Sequence, residues 1–484
     1  MTGFKNTGVM HSIKRALESA RIENYDYSAY LEEKNVTEEE LNRQKNTGFF
    51  YEPLISVITQ IGNEPVKYLD KMIESVSSQS YAFYELCIAD NSAGEQAGNV
   101  ISQYINKNPR IRYVRTKASN GLGANLEEAL NMADGDYIVY VRANDELSPN
   151  ALYELVRAIN RRDRVDVVYA DEDSIASGRK QYEKPVFKPN INYDLLRTNN
   201  YIGHPMLVRK KLAKRIGGFS DRFIGAQEYD FTLRCIEGSD KVIHVSKMLY
   251  HSRDIYENDF DADEMINALN AHFERTGIIA DIRPLDCPGY FRINYHMEST
   301  PHVTIIINDL YGEKQLKKCV DSIRGKTIYR EYDIIVRKNS SKIPREHIAG
   351  TYVIAIDSNM TVLSNNFIEK MLARMSQGDV SVVCSKIIDR HKKILHAGIK
   401  NTKSGLKYMF EGMPSWQYGY GLRAILQQNV DAFPVMGIML KTEDYLAIDY
   451  ENPENGIDIE LCELMRQNGK MITYEPDVLF EKGR

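Results

Sequence analysis

One long self-similarity constrains this chain more than any other feature. The stretch "PLISVITQIGNEPVKYLDKMIESVSSQSYAFYELCIADNSA" from Pro53 finds a partner in "PHVTIIINDLYGEKQLKKCVDSIRGKTIYREYDIIVRKNSS" from Pro301. Each copy opens on a short β-branched run, "LISVIT" or "HVTIII", suited to a buried strand. Apolar residues then fall at i, i+3, i+4 and i+7: Leu69, Met72, Ile73 and Val76 in the first copy, Leu316, Cys319, Val320 and Ile323 in the second. That spacing predicts a helix with one buried face. A second strand follows each helix, "YELCIAD" and "YDIIVRK". Strand, helix, strand of this length is a βαβ unit, which favours a mainly parallel sheet with a ligand crevice at the strands' carboxyl ends. Two copies imply duplication and an α/β fold of two tandem domains.

The polar segment 1–50, with "SIKRALESARIE" as an expected helix, precedes the first copy and reads as an N-terminal helical extension. The first domain is placed at 51–300 and the second at 301–484. The boundary falls near Pro301 because "PLDCPGYFRINYHMESTP" carries prolines and a glycine. A net charge of -5 gives no global basic field, so no nucleic-acid partner is expected. The run Arg161, Arg162, Arg164 is broken by Asp163 and reads as a solvated helix end. Six scattered cysteines with no CxxC pair argue against a zinc cluster and a disulfide framework, and fit a reducing compartment. No apolar run approaches the ~20 residues that span a bilayer. The expectation is a cytoplasmic protein with at most peripheral contact at the inner face of the membrane.

The segments "IESVSSQSY", "YELCIADNSA", "SNGLGANLEEALNMADGDYIVYV", "NDELSP", "YADED", "FKPNINYDLL", "NYIGHPMLVR", "GAQEYDFTLR" and "LYHSR" occur in that order. With them the chain resembles family 2 glycosyltransferases, especially the tandem-domain O-antigen and rhamnosyltransferase-like members, over nearly all of residues 24–484. The resemblance implies two GT-A-like domains, Rossmann-like sheets of the nucleotide-diphospho-sugar transferase kind, and an inverting transfer. It puts the donor nucleotide at Asp90, which ends the second strand. A carboxylate there can accept paired hydrogen bonds from a nucleoside, or merely turn the chain with Asn91 and Ser92. Asn120 and Gly121 open "NGLGANLEEAL", where a positive-φ turn would feed a helix whose first amides approach the donor; a plain Asn-Gly turn reads as well. "GAQEYDFTLR" aligns with the base-bearing segment and puts Glu228 in the role of general base, with Asp230 beside it. The family more often has Asp there. Both acids would also favour the N-terminus of the helix that follows. Asp171 and Asp173 of "YADED" and Tyr193 of "KPNINYDLL" match segments near the acceptor, where the acids could bind sugar hydroxyls and the ring could stack; structural loop roles serve equally.

The family's Asp-x-Asp-Asp after the strand "YIVYV" is replaced here by Arg142, Ala143, Asn144, Asp145. An Arg about 5 Å from a divalent ion would be repelled by roughly 6–7 kcal/mol at an effective dielectric near 20. Three readings follow. Asp145 and His251 of "LYHSR" hold a weak Mg²⁺ or Mn²⁺; or Arg142, with Asn144 and Asp145 near the donor, neutralises the leaving diphosphate; or the site is dead. The loop after the first strand is also altered, to Gln60, Ile61, Gly62 and Asn63.

The second copy departs further, with Lys338 at the position of Asp90, Asp357 and Asn359 in "AIDSNMTV", and no closing histidine. Asp458 and Glu460 match its base-bearing segment, although a helix cap and core explain them too. It reads as a degenerate domain, an acceptor or partner platform. Trp416, Tyr418 and Tyr420 would be a sugar-binding surface or core.

The leading expectation is an inverting enzyme that moves a sugar from a nucleoside-diphosphate sugar onto a saccharide, lipid-linked glycan or glycoprotein acceptor in surface polysaccharide or glycan synthesis. The alternative is a non-catalytic glycosyltransferase-like protein that binds saccharide or supports an active partner glycosyltransferase. A nucleotide-sugar pyrophosphorylase or dehydrogenase is disfavoured, because no GxGxxG follows the first strand.

Overall fold

The computed structural model describes residues 27–62, 64–117, 121–175, 182–253, 261–338, 343–402, 405–448 and 459–483. Asn63, Asn120, Asp458 and the segment "SIKRALESARIE" lie outside them. The chain forms two compact units.

The first unit, Asn24–Ile191 with Asn200–Thr276, holds one sheet. Its strands are β1 (Ile55–Ile61), β2 (Tyr84–Asp90), β3 (Ile111–Arg115), β4 (Tyr137–Tyr140), β5 (Glu146–Leu147), β6 (Val167–Ile175), β7 (Tyr182–Val186), β8 (Met206–Arg209) and β9 (Val242–Ser252). Their order is β3-β2-β1-β4-β8-β6-β9-β5, with β7 on β6. β1, β2, β3 and β4 run parallel, β8 is antiparallel to both neighbours, and β6 and β9 run parallel again. The helix Val66–Ser77 crosses between β1 and β2 and buries Leu69, Met72, Ile73 and Val76, the four residues its spacing predicts. Helices Tyr27–Lys34 and Glu38–Lys45 precede the sheet, the second capped by Thr37. Buried Gln44 accepts from the Ser80 hydroxyl at 2.8 Å, so this part of the extension belongs to the unit.

The described residues of the second unit fall within Asn192–Asn199 and Gly277–Arg484. Its sheet orders Tyr332–Arg337, Val303–Asn308, Tyr352–Asp357, Ile438–Lys441, Val380–Asp389, Met471–Lys482 and Met360–Val362, which is the order of the first sheet without an equivalent of β3. Parallel and antiparallel neighbours fall in the same places. The duplication read from sequence is therefore a duplication of topology. The helix Glu313–Lys326 buries Cys319 and Ile323 fully, while Leu316 and Val320 are half-buried against the same core.

The contact boundary falls at Thr276 and Gly277, not near Pro301. The prolines and glycine of "PLDCPGY" make the turn of a hairpin, Ala280–Pro284 with Phe291–Tyr295, and do not form a linker. That hairpin is fastened to the second unit through Gln427, whose side chain accepts from the Ile293 amide at 3.1 Å and donates to the Ile293 carbonyl at 2.9 Å. The six cysteines are buried free thiols. Among the described residues no helix is long and apolar enough to cross a membrane.

Candidate active site

The carboxyl end of β4 leads into a tight turn in which the Asp145 amide donates to the Arg142 carbonyl at 3.0 Å. Tyr250, on β9, ties this turn to the sheet. Its hydroxyl donates to Asp145 Oδ2 at 2.7 Å and accepts from the Arg142 amide at 3.2 Å. The turn aims the Arg142 side chain at the helix Gln227–Glu237. There Arg142 Nε donates to Glu228 Oε1 at 2.8 Å and its Nη2 pairs with Oε2, a two-pronged ion pair. His204 Nε2 stands 3.1 Å from Glu228 Oε2, and its ring stacks on Tyr250 with centroids 5.0 Å apart. Burial alone would push the Glu228 carboxyl up; Arg142 and then His204 outweigh it and hold the group well below the usual carboxylate range. A cavity of about 20 Å³ adjoins these groups, lined by Tyr140, Asn200, Gly203, His204, Glu228 and Thr232 among others.

The loop bearing His204 is held from below. Buried Lys188 donates to the carbonyls of Ile202 at 2.6 Å and His204 at 2.5 Å, and pairs with Glu172 at 3.2 Å. Burial pulls the Lys188 ammonium pKa down. Neither His204 nor Lys188 is singled out by the sequence reading, although both lie in the quoted segments "NYIGHPMLVR" and "FKPNINYDLL".

Asp90 is fully buried at the end of β2. It accepts from the Ser92 amide at 2.8 Å, the Tyr113 hydroxyl at 2.8 Å and Arg115 Nη1 at 2.6 Å. The last two partners come from β3, which has no equivalent among the described residues of the second sheet. Gly121 precedes the helix Leu122–Met132 with φ −76, so no positive-φ turn occurs at this residue. Glycine is needed there for space: a Cβ would lie 2.6 Å from the Asp221 carboxylate. Asp221, missed by sequence reading, accepts from the amides of Gly123 at 2.6 Å and Ala124 at 3.0 Å. The helix amides expected to approach a donor are thus bonded to a side chain of the same unit.

The other acids have internal partners. Asp171 accepts from the Lys188 amide at 2.9 Å and faces His244 Nε2 at 2.7 Å. Asp173 accepts from the Tyr27 hydroxyl and lies 2.5 Å from His251 Nδ1. Asp230 is locked to Arg234 at 2.7 Å and 2.9 Å. Two positions after Glu228 on one helix, it faces away from it, because i and i+2 do not share a helix face. Tyr193 belongs to the second unit, on the helix Tyr193–Thr198. Trp416 is 68% exposed in the second unit, so it is not core.

The metal ligands expected from sequence are not free to bind. Asp145 Oδ1 accepts from the Arg253 amide at 2.8 Å and Oδ2 from Tyr250, while burial pushes its carboxyl pKa up against the pull of Arg142. His251 has Ser148 Oγ 2.8 Å from Nε2 and Asp173 on Nδ1. The Ser148 hydroxyl also lies within hydrogen-bonding distance of the Met248 carbonyl, so both ring nitrogens of His251 are already engaged by neighbours within the unit. Asn144 Oδ1, on a residue 7% exposed, is a buried acceptor with no partner among the described residues. Among the described residues no three His, Cys, Asp or Glu side chains converge. One amide oxygen beside a guanidinium does not fit Mg²⁺ or Mn²⁺.

Residues 56–217 match the model of glycosyl transferase family 2. "Uncharacterized protein y4gI" of Sinorhizobium fredii is 30% identical over 88% of this chain and 52% of its own length. "O-antigen biosynthesis protein RfbC" of Myxococcus xanthus is 25% identical over 76% of this chain and 32% of its own. The chain thus spans about half the length of the first relative and about a third of the second. Among solved structures, S. aureus TarS is 18% identical over 46% of this chain and 39% of its own, with a TM-score of 0.39. The segment that matches glycosyl transferase family 2 is the one that carries β1, β2, β4 and Arg142.

Proposed function

We propose that the first unit transfers a sugar, with inversion, from a nucleoside-diphosphate sugar to a hydroxyl of a saccharide, lipid-linked glycan or glycoprotein acceptor, in the cytoplasm with at most peripheral contact at the inner face of the membrane. The observation that carries this reading is the position of Glu228. A carboxylate stands in the first turn of a helix, beside the carboxyl end of β4, with one guanidinium and one imidazole on it. In the transfer the acceptor oxygen attacks the anomeric carbon and its proton passes to Glu228. The bond from that carbon to the diphosphate oxygen breaks, and its electron pair leaves with the diphosphate. Arg142 is the cation that faces the leaving diphosphate; a guanidinium matches phosphate oxygens in a fork and keeps its charge at any working pH. Asp90, presented at the end of β2, borders the nucleoside.

A surface polymer is the product class most in keeping with relatives such as the O-antigen biosynthesis protein. The second unit serves as platform for the acceptor or for a partner glycosyltransferase. The rival reading, a saccharide-binding protein without catalysis, draws on the internal partners of Asp90, Asp145 and His251. The two separate in one assay. UDP-, dTDP- and GDP-sugars are incubated with the full chain and extracted lipid-linked glycans in EDTA, and nucleoside diphosphate release is followed. Acceptor-dependent release that falls at least 100-fold in Glu228→Gln supports transfer; no release from any donor, with saccharide binding retained, supports the rival.

A further inference from the structure

The candidate base and the candidate diphosphate ligand are bonded to each other. We infer that the Arg142–Glu228 pair is a donor-operated latch: the donor's diphosphate draws Arg142 off Glu228 and so releases the carboxylate that removes the acceptor's proton. This rests on the transferase reading above.

Both hydrogen bonds of the pair use the Nε–Nη2 fork of the guanidinium, Nε to Oε1 at 2.8 Å and Nη2 to Oε2. The latch has the diphosphate take this same fork, and because one fork holds one bidentate acceptor, Glu228 is then displaced from it. The rest of the site stays fixed while that exchange occurs. The Arg142 amide is held by Tyr250, and the turn by the Asp145 amide on the Arg142 carbonyl, so the exchange is one of side-chain rotamer and leaves the backbone in place. His204 remains on Glu228 Oε2 and is itself anchored through its carbonyl to Lys188 and through its amide to Glu172 at 3.3 Å. It is the positioning residue that keeps the freed carboxylate aimed. The groups that act on Glu228 are the Arg142 guanidinium and the His204 imidazole. Moving one of them onto phosphate and bringing negative charge alongside both raise the proton affinity of the carboxylate. Without donor the base is quenched, so acceptor hydroxyls are not activated ahead of it.

Such a latch takes up protons when it opens. Calorimetry of UDP, dTDP and GDP with the full chain in EDTA, near pH 5 in two buffers of different ionisation enthalpy, counts them. The terminal phosphate's own titration is common to all variants and drops out of the difference between them. Wild type is expected to take up a fraction of a proton more than Glu228→Gln, on the order of one half. Arg142→Gln, in which the pair is already open, is expected to bind at least 10-fold more weakly and to show no such excess. Equal proton counts in wild type and Glu228→Gln, or unweakened binding by Arg142→Gln, would overturn the latch while leaving the donor site standing. Binding of none of the three diphosphates to the folded chain would remove the transferase reading and the latch together.

Discussion

Glu228 is held by three hydrogen-bonding contacts to charged or chargeable partners and lines a small cavity. That arrangement makes it an anchor of the resting site as well as its candidate base. Glu228→Gln is expected to cost about 1–3 kcal/mol at pH 7, the usual worth of hydrogen bonds to charged groups, since Arg142 loses its counter-charge. The pH dependence has a definite sign. The folded pKa of Glu228 lies below its unfolded value of about 4.3, so the stabilisation is present above that value and lost as pH falls toward the folded one. Denaturant melts of wild type and Glu228→Gln should differ by a constant amount from pH 7 to about 5 and converge below about pH 4; a gap that widens on acidification contradicts the ion pair. Arg142 is conspicuous in the sequence because it stands among residues that resemble an acidic motif. Its partner is not legible, because 86 positions separate the two and only the tertiary fold brings β4 beside the helix Gln227–Glu237 that precedes β9. His204 is silent for the same reason, whereas the placing of Asp230 on another face of the helix from Glu228 follows from helical periodicity alone.

At the scale of elements, periodic features are legible and pairings across the sheet are not. The apolar faces of Val66–Ser77 and Glu313–Lys326 can be read from a window of a dozen residues. The hairpin in "PLDCPGY" cannot be told from a linker by its prolines and glycine, since both need the same turn residues. The N-terminus of Leu122–Met132 is a further case. Its cap is supplied by Asp221, 98 positions from Gly123, and no local signal announces it. Asp221→Ala should cost about 1–2 kcal/mol, as loss of a helix cap does. Gly123→Ala should be worse than this for a separate reason: a Cβ would sit 2.4 Å from the Ser220 carbonyl carbon, so the Ser220–Asp221 turn must move and its cap with it. Equilibrium urea melts measure both. If Asp221→Ala is neutral while Gly123→Ala is strongly destabilising, the contact is steric and the cap contributes nothing.

For the whole molecule the telling feature is an excursion of chain. Residues Asn192–Asn199 leave the first unit's sequence and are built into the second. The reason is chemical. Asp194 is fully buried there and accepts from Arg374 Nη2 at 2.7 Å, Thr473 Oγ1 at 2.7 Å, Arg197 Nη1 at 3.0 Å and Asn429 Nδ2 at 3.0 Å. Burial would raise its pKa, but Arg374 and Arg197 prevail and hold it low. Arg374, with Tyr295 under its guanidinium at 4.8 Å, has Asp194 and Asp379 as its carboxylate partners. The second unit is therefore incomplete as a run of sequence. Residues 277–484 expressed alone leave Arg374 buried with half of its counter-charge, and breaking a buried pair of this kind costs about 3–5 kcal/mol. That chain should melt cooperatively at a much lower temperature than the same unit within the full protein, or fail to fold. A synthetic peptide of residues 190–201 added in excess should raise its melting temperature, and the same peptide carrying Asp194→Asn should not. Equal rescue by both peptides would mean that the apolar face of Tyr193–Thr198, where Leu195 and Leu196 are buried, fastens the segment and that Asp194 merely accompanies it.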